Sequence, residues 1–391
     1  MSVTVTTHTS WFSRMKNSII GALIGTLLVL GMVGLLFWNE GRAVKTARAL
    51  AEGAGAVVSI DAKTHDPANE GRLVHVAGPV TPGSVPEDTM FGMRAEGAVG
   101  LNRTVEMYQW KETSKSETKT KLGGGQETVT TYDYSREWSS SRQDSSSFHD
   151  KAFHENPAFP VEAEEFATDQ VTLGAFVFAG SRVASLGKDS AIPLTPDNAA
   201  RAAQALGKPQ AVVQGNLVFI GRNGQAPQVG DLRLGFTRAD LKEMSAVGQQ
   251  KGNGIDAWKS SNGREIFLSQ AGIADAAKMF ADAVTANNLV TWLVRVVGLI
   301  AMLIGFSLAF SILGVIGDVI PFVGSVVRAG TGFIALVLTA LLGSVTIAIG
   351  WIAYRPFVGI AILAVGFAIA FAVGKMGAKK GAAAPAGATP A

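Results

Sequence analysis

No cysteine occurs anywhere in the chain, which excludes disulfides, thiolate nucleophiles, zinc ribbons and cysteine-ligated iron–sulfur clusters. Charge is scarce as well: 17% of residues are charged, against roughly 25% in soluble domains. In a 391-residue chain that is 48% hydrophobic, this shortfall points to membrane spans and excludes disorder. The five histidines stand at positions 8, 65, 75, 149 and 154. The nearest pair, His149 and His154, lacks the i, i+4 spacing of a helical zinc pair, so no metal ligand is assigned and both are read as exposed loop residues. A nucleophile elbow, a phosphate-binding glycine loop and a dinucleotide fingerprint are all missing. Glu162, Glu164 and Glu165 are read as a charged surface. No catalytic residue and no cofactor site is assigned, and the chain is expected not to be an enzyme.

What is present is a set of long apolar runs. Residues 19–38 run without a charge for about 30 Å as a helix, one bilayer core. The length favours an uncleaved anchor over a secretory signal, whose apolar region is shorter. Three further spans are expected at 296–316, 329–354 and 357–374. Arg14 and Lys16 before the first span, and Lys375, Lys379 and Lys380 after the last, are unaccompanied by acids. The positive-inside rule then makes residues 1–18, the 317–328 loop and a disordered 375–391 tail cytoplasmic. Residues 39–290 become a non-cytoplasmic domain. Trp38, Trp292, Trp351 and Tyr354 fall at its membrane boundary as interface anchors, with core packing the alternative reading of those rings. Gly21 and Gly25 form a GxxxG pair, and Ala364, Ala368 and Ala372 a small-residue stripe, both suited to close helix packing.

Within 39–290 the fold class is α+β, with helical flanks around a mainly β interior. The 40–53 flank continues the first span outward, and the 273–287 flank leads amphipathically into the second. Alternation predicts strands at 72–80, 99–110, 127–138, 171–178, 211–220, 232–237 and 265–269. One helix is expected over 196–206, with Thr195 as N-cap and Pro196 as first residue. The second and third strands are read as joined by a polar loop containing residues 111–121. Period two places Glu106, Tyr108 and Trp110 on one face and Tyr132, Tyr134, Arg136 and Trp138 on one face of the neighbour. The expected register sets Tyr108 opposite Tyr134 and Glu106 opposite Arg136. Such a face suits either a structural stack or a ligand platform. The polar stretch 139–147 reads as a flexible edge, consistent with either one β domain or two lobes. Asn102-Arg103-Thr104 matches the glycosylation acceptor pattern but falls in a predicted strand.

Certain strings are more specific than composition: Asn39-Glu-Gly-Arg42, Asn69-Glu-Gly-Arg-Leu-Val-His-Val76, Val105-Glu-Met-Tyr-Gln-Trp110, Glu137-Trp138, Val229-Gly-Asp-Leu-Arg233 and Tyr354-Arg-Pro356. In order and spacing they resemble the LUMA (transmembrane protein 43) family. The repeated Asn-Glu-Gly-Arg is coincidental, since no fixed period follows it. The resemblance implies a four-pass endomembrane protein of the endoplasmic reticulum and inner nuclear membrane, linked to nuclear-envelope organisation, lamin and emerin binding, oligomerisation and signalling scaffolds. It carries over no catalytic residue. The cysteine-free chain and its Ala/Gly-rich tail point to a bacterial member of the inner membrane, to which nuclear partners would not apply.

Residues 39–290 hold 26 Lys+Arg against 30 Asp+Glu. The overall net charge of +3 therefore arises in the membrane flanks and gives no support to nucleic-acid binding. The expected function is a membrane organiser or scaffold that contacts lipid, itself or other membrane proteins. The alternative is a lipid-handling or transporter-associated protein using the β domain as its binding module.

Overall fold

The computed structural model describes residues 2–357 and divides into two compact units. One gathers the residues up to 9 with 48–120 and 126–285; the other holds 10–47, 121–125 and the described residues from 286 onward. Three helical stretches, Trp11–Ala56, Ala276–Gly317 and Pro321–Tyr354, are long and apolar enough to cross a membrane. The expected fourth span at 357–374 lies outside the described residues from its second position on.

Apart from a single turn at Gly180–Val183, the α-helices among the described residues are α1 (Trp11–Ala56), α2 (Pro196–Ala205), α3 (Ala276–Ala309), α4 (Ser311–Gly317) and α5 (Pro321–Tyr354). α1 and α3 continue well beyond their apolar cores, as the helical spacing of the flanks requires. α2 begins with Pro196 behind Thr195, whose hydroxyl accepts the Asn198 N–H in a reciprocal capping box. The expected 317–328 loop is much shorter, because Pro321 opens α5 and its fixed φ suits a first helical turn.

The β unit contains two large sheets, besides two short hairpins that pair Glu87–Asp88 with Met93–Arg94 and Trp258–Lys259 with Glu265–Ile266. The strands of the large sheets are β1 (Ser2–Thr9), β2 (Val58–Ser59), β3 (Leu73–Pro82), β4 (Gly100–Thr120), β5 (Gln126–Ser139), β6 (Glu164–Ala167), β7 (Gln170–Leu173), β8 (Phe176–Ala179), β9 (Lys188–Ala191), β10 (Ala211–Gln214), β11 (Leu217–Ile220), β12 (Leu232–Asp240), β13 (Glu243–Lys251), β14 (Gly254–Asp256) and β15 (Leu268–Ala271). The eight-stranded sheet runs β1-β5-β4-β12-β11-β10, with β6 on β4 and β9 on β12. In the seven-stranded sheet, pairings β3-β13-β14-β8-β7-β3 make a closed circuit. Val74, Val76, Leu173, Phe176, Met244 and Ile255 form the core of that circuit. The first sheet has its own core around Leu101, Met107, Val218, Ile220, Leu232 and Phe236. Both sheets draw strands from either side of residue 147, so that stretch does not divide two lobes.

Several expectations change. The 171–178 and 211–220 runs are each a hairpin, because Gly174 and Gly215 adopt φ of +61° and turn the chain at positions a side chain would strain. Residues 111–120 are strand, and the connection is only Lys121–Gly125, closed by the Lys121 N–H on the Gly125 carbonyl at 2.8 Å. That turn fixes the register. Tyr108 stands opposite Trp138, Trp110 opposite Arg136 and Glu112 opposite Tyr134, four residues from the expected pairing, while Glu106 faces Arg233 of β12.

The N-terminus also differs. Residues 2–9 are β1, paired along their whole length with residues 133–126 of β5. Strands bonded in this way cannot occupy opposite faces of a bilayer. A cytoplasmic 1–18 tail facing a non-cytoplasmic 39–290 domain is therefore incompatible with this pairing.

Candidate functional site

Within the β unit, distant strings converge on the β4–β5 face. Gly230, at φ +92°, lets the Val229–Arg233 string bend so that the Gly230 N–H reaches the Tyr108 carbonyl and the Asp231 carbonyl accepts the Tyr108 N–H, both at 2.9 Å. Arg233 is thereby set over the Trp138 ring at 4.0 Å, Tyr108 lies 5.3 Å from Trp138, and Arg136 covers Trp110 at 5.1 Å. Glu106, Tyr108, Trp110, Tyr132, Tyr134, Arg136 and Trp138 all share one face despite the altered register.

That face is covered by the chain itself. His154 stacks on Tyr134 with centroids 3.9 Å apart and meets Trp110 edge-on at 4.6 Å, while His149 stacks on Tyr132 at 4.5 Å. His154 is buried rather than an exposed loop residue. The 139–147 stretch is pinned too: the buried Gln109 amide donates to the Ser139 and Ser141 carbonyls and accepts the Gln143 N–H. Asn156 then brackets Trp110, accepting its N–H and donating to its carbonyl. The Tyr134 hydroxyl donates to Glu112, and burial together with that carboxylate pushes its pKa up to about 12. The Tyr134 ring is buried beneath His154, while Tyr108, Trp110, Tyr132 and Trp138 are partly covered and Arg136 is exposed.

The helical unit holds two further polar clusters. The first is built on Asn39-Glu-Gly-Arg42. Glu40 is 1% exposed and receives a bidentate pair from Arg295, with both bonds at 2.7 Å. Asn39 donates to the Thr291 carbonyl, and Arg42 reaches Asn39, Asn287 and Thr291. Gly41 lies under the Tyr354 ring, where an added Cβ would come within 2.5 Å, and one on Gly350 would come within 2.9 Å of Glu40. Three helices thus meet at one tetrapeptide.

The second cluster is centred on Asp318, which is fully buried and paired with both Arg14 and Arg328. Arg14 also donates to the Gly124 carbonyl, and the Gly123 N–H bonds the Val319 carbonyl at 3.0 Å. The turn Lys121–Gly125 is in this way part of the helical unit. Trp11 adds a bond from its indole to the Val315 carbonyl at 2.9 Å. From sequence, Arg295, Asp318 and Arg328 read as span ends. Their partners lie 255, 304 and 10 residues away, and the first two separations leave no local trace.

Gly25 is in tight backbone contact with Gly305 of α3, whereas Gly21 has only an ordinary approach to Ser311. Trp38 and Trp292 are 58% and 62% exposed, and Arg295 lies over Trp292. Trp351 is half-buried beneath Arg355, and Tyr354 packs on Phe37 as well as Gly41. Ala364, Ala368 and Ala372 lie outside the described residues. No group of three or more His, Asp or Glu suited to a metal ion occurs among the described residues. Asn102 of the glycosylation pattern donates to Asp189 at 3.1 Å.

A cleft of about 550 Å³ opens near the same strings, with Lys208, Arg222 and Asp231 among three prolines in its lining. Asp231 is already engaged, accepting the Gln228 N–H at 2.7 Å.

The family model described as Transmembrane protein 43 matches residues 107–356. Mouse and human transmembrane protein 43 are each 30% identical over 370 residues, covering 91% of this chain and 90% of theirs. A fruit-fly transmembrane protein 43 homolog is 29% identical, covering 88% of this chain and 92% of its own. These relatives are animal proteins, so the expected bacterial origin is not borne out by them. No solved structure matches the chain. Strings scattered from Asn39 to Pro356 fall at the helix crossing, the core strand and the sheet face just described, and similarity runs through nearly all of the sequence: the chain belongs to the transmembrane protein 43 family.

Proposed function

We propose that this integral membrane protein is a non-enzymatic organiser of its membrane, in which apolar helices anchor a rigid β unit that contacts other copies, other membrane proteins and lipid. One observation carries the reading: the chain's most specific strings are engaged in fastening. Asn39–Arg42 joins three helices, and the 105–110, 137–138 and 229–233 strings build a stack closed over by the chain's own histidines. A scaffold needs defined geometry more than an open reaction centre, and buried paired groups supply it at some expense of stability. By family resemblance the membrane is that of the endoplasmic reticulum and inner nuclear envelope.

The test is chemical crosslinking in native membranes, followed by purification and mass determination. Discrete species above monomer mass, containing further copies or other membrane proteins, are expected. A strictly monomeric protein carrying no partner would overturn the proposal.

A further inference from the structure

The β unit contains a ribbon that the described residues of its own chain leave unfinished. It consists of β1, residues 112–120 of β4 and residues 126–134 of β5, with β5 in the middle. None of residues 2–9, 113–120 or 126–133 is buried. Three strands become independently stable when they have a hydrophobic face to cover, and this ribbon covers none.

Both its edges are open. Among the described residues β1 pairs with no strand except β5. On the far side, β12 accompanies β4 only to Met107, the loop at Gly230–Asp231 bonds Tyr108, and Asn156 occupies Trp110. From Glu112 to Thr120 no further strand follows among the described residues. Natural edge strands are blunted by lysine, proline, bulges or brevity. β1 has none of these: SVTVTTHT is eight residues of mainly β-branched side chains without Lys, Arg, acid, Pro or Gly.

We propose that β1 of one copy adds to the free 112–120 edge of β4 in a second copy. Two features of the ribbon favour that occupant over an unrelated strand. The free edges match in length, eight residues against nine, and both belong to one ribbon, so each copy offers what the next one lacks. β1 and β4 both run antiparallel to β5. Copies related by rotation about an axis along the strands therefore join in parallel, head to tail, a heterologous contact that makes a ring when the rotation closes and an open chain of copies when it does not. The inference deepens the self-association part of the proposed function and rests on it.

The absence of cysteine makes the test clean. Thr6 stands opposite Val129, itself opposite Glu117, so Thr6 shares its face with Lys115, Glu117 and Lys119, whereas Ser114, Ser116 and Thr118 lie on the other. Full-length chains carrying Thr6→Cys together with one cysteine at each of positions 114–119 are oxidised in native membranes. A ladder of disulfide-linked multimers is expected for one or more of Lys115→Cys, Glu117→Cys and Lys119→Cys, with at least a tenfold weaker ladder for Ser114→Cys, Ser116→Cys and Thr118→Cys. Thr4→Cys with Thr131→Cys, directly opposite within one ribbon, serves as the control by closing inside a single chain. If the control closes while the ladder is absent, or is equal on both faces, the edge pairing is overturned. Crosslinks from Thr6→Cys to a different protein overturn it too. Multimers that persist without the ladder refute the edge pairing alone, whereas a monomer refutes self-association as well.

Discussion

The tetrapeptide Asn-Glu-Gly-Arg stands at residues 39–42 inside α1 and again at 69–72 just before β3, and comparing the two shows how little of their role is local. In both, the arginine donates to its own asparagine three residues back, Arg42 to Asn39 at 3.2 Å and Arg72 to Asn69 at 3.1 Å. Everything else differs. Glu40 is buried against Arg295, while Glu70 is exposed and accepts the Gly252 N–H at 3.0 Å. Gly41 is helical and serves a close approach to Tyr354, whereas Gly71 has φ of +76° and serves a turn. In the helical unit the motif works through neighbours more than 240 residues away. In the β unit it works through the backbone.

The largest expected effect breaks that contrast at the glutamates. Glu40→Ala strands a desolvated Arg295 and should cost about 3–5 kcal/mol, as removing one partner of a buried pair does. Glu70→Ala loses one exposed hydrogen bond, about 1 kcal/mol. Thermal unfolding of the two variants in lipid nanodiscs measures the gap. Replacing Glu40 and Arg295 together with leucine should recover most of the loss, because a well-packed apolar pair avoids the desolvation cost. Equal destabilisation by the two alanine variants would remove the distinction between the motifs.

The same contrast explains what was legible beforehand. The continuous α1 and α3 follow from helical spacing that outlasts their apolar cores, and the Thr195-Pro196 start from capping chemistry. The aromatic face follows from period two, since Tyr108, Trp110, Tyr134 and Trp138 alternate with polar residues. The register does not follow: residues 111–120 carry no apolar alternation, so nothing in them distinguishes strand from loop. β1 is hidden for the same reason, a Thr-rich stretch that acquires structure only from β5. β13 is interrupted by Gly248 and has no clean alternation. His154, Arg233 and Asp318 were out of reach because their partners come from other elements of the fold.

The glycines give the next contrast, of intermediate size. Alanine at 41 would put its Cβ within 2.5–2.8 Å of the Tyr354 ring, an overpacking worth about 1–3 kcal/mol, partly offset by alanine's better helix propensity of about 1 kcal/mol. Alanine at 71 makes only an ordinary contact, 3.9 Å from the Gln249 amide nitrogen, but meets a left-handed backbone, costing about 1 kcal/mol. A double-mutant cycle separates the causes. In a Tyr354→Ala background the Gly41→Ala penalty should vanish or change sign, while the Gly71→Ala penalty stays. A Gly41→Ala cost that ignores Tyr354 would show that the helix crossing does not depend on this approach.

The last effect shows only above pH 10 and concerns how each unit keeps an ionisable group from water. Both units pair buried opposite charges, Glu40 with Arg295 in the helical unit and Asp88 with Arg103 in the β unit, but the β unit also keeps the Tyr134 phenol neutral beneath His154 and beside Glu112. Its pKa is raised from 10.0 to about 12. The folded chain therefore holds this proton where the unfolded chain releases it. The stabilising contribution is complete below pH 10, declines as pH rises and is lost through pH 12. Absorbance titration of the folded protein should show one tyrosinate step delayed to about pH 12, missing in Tyr134→Phe. Between pH 10 and 12 the stability of the wild type should fall more steeply than that of Tyr134→Phe. Parallel slopes would mean the phenol is no better shielded from water in the folded chain than in the unfolded one, and the stack over β4 and β5 would then be open to solvent.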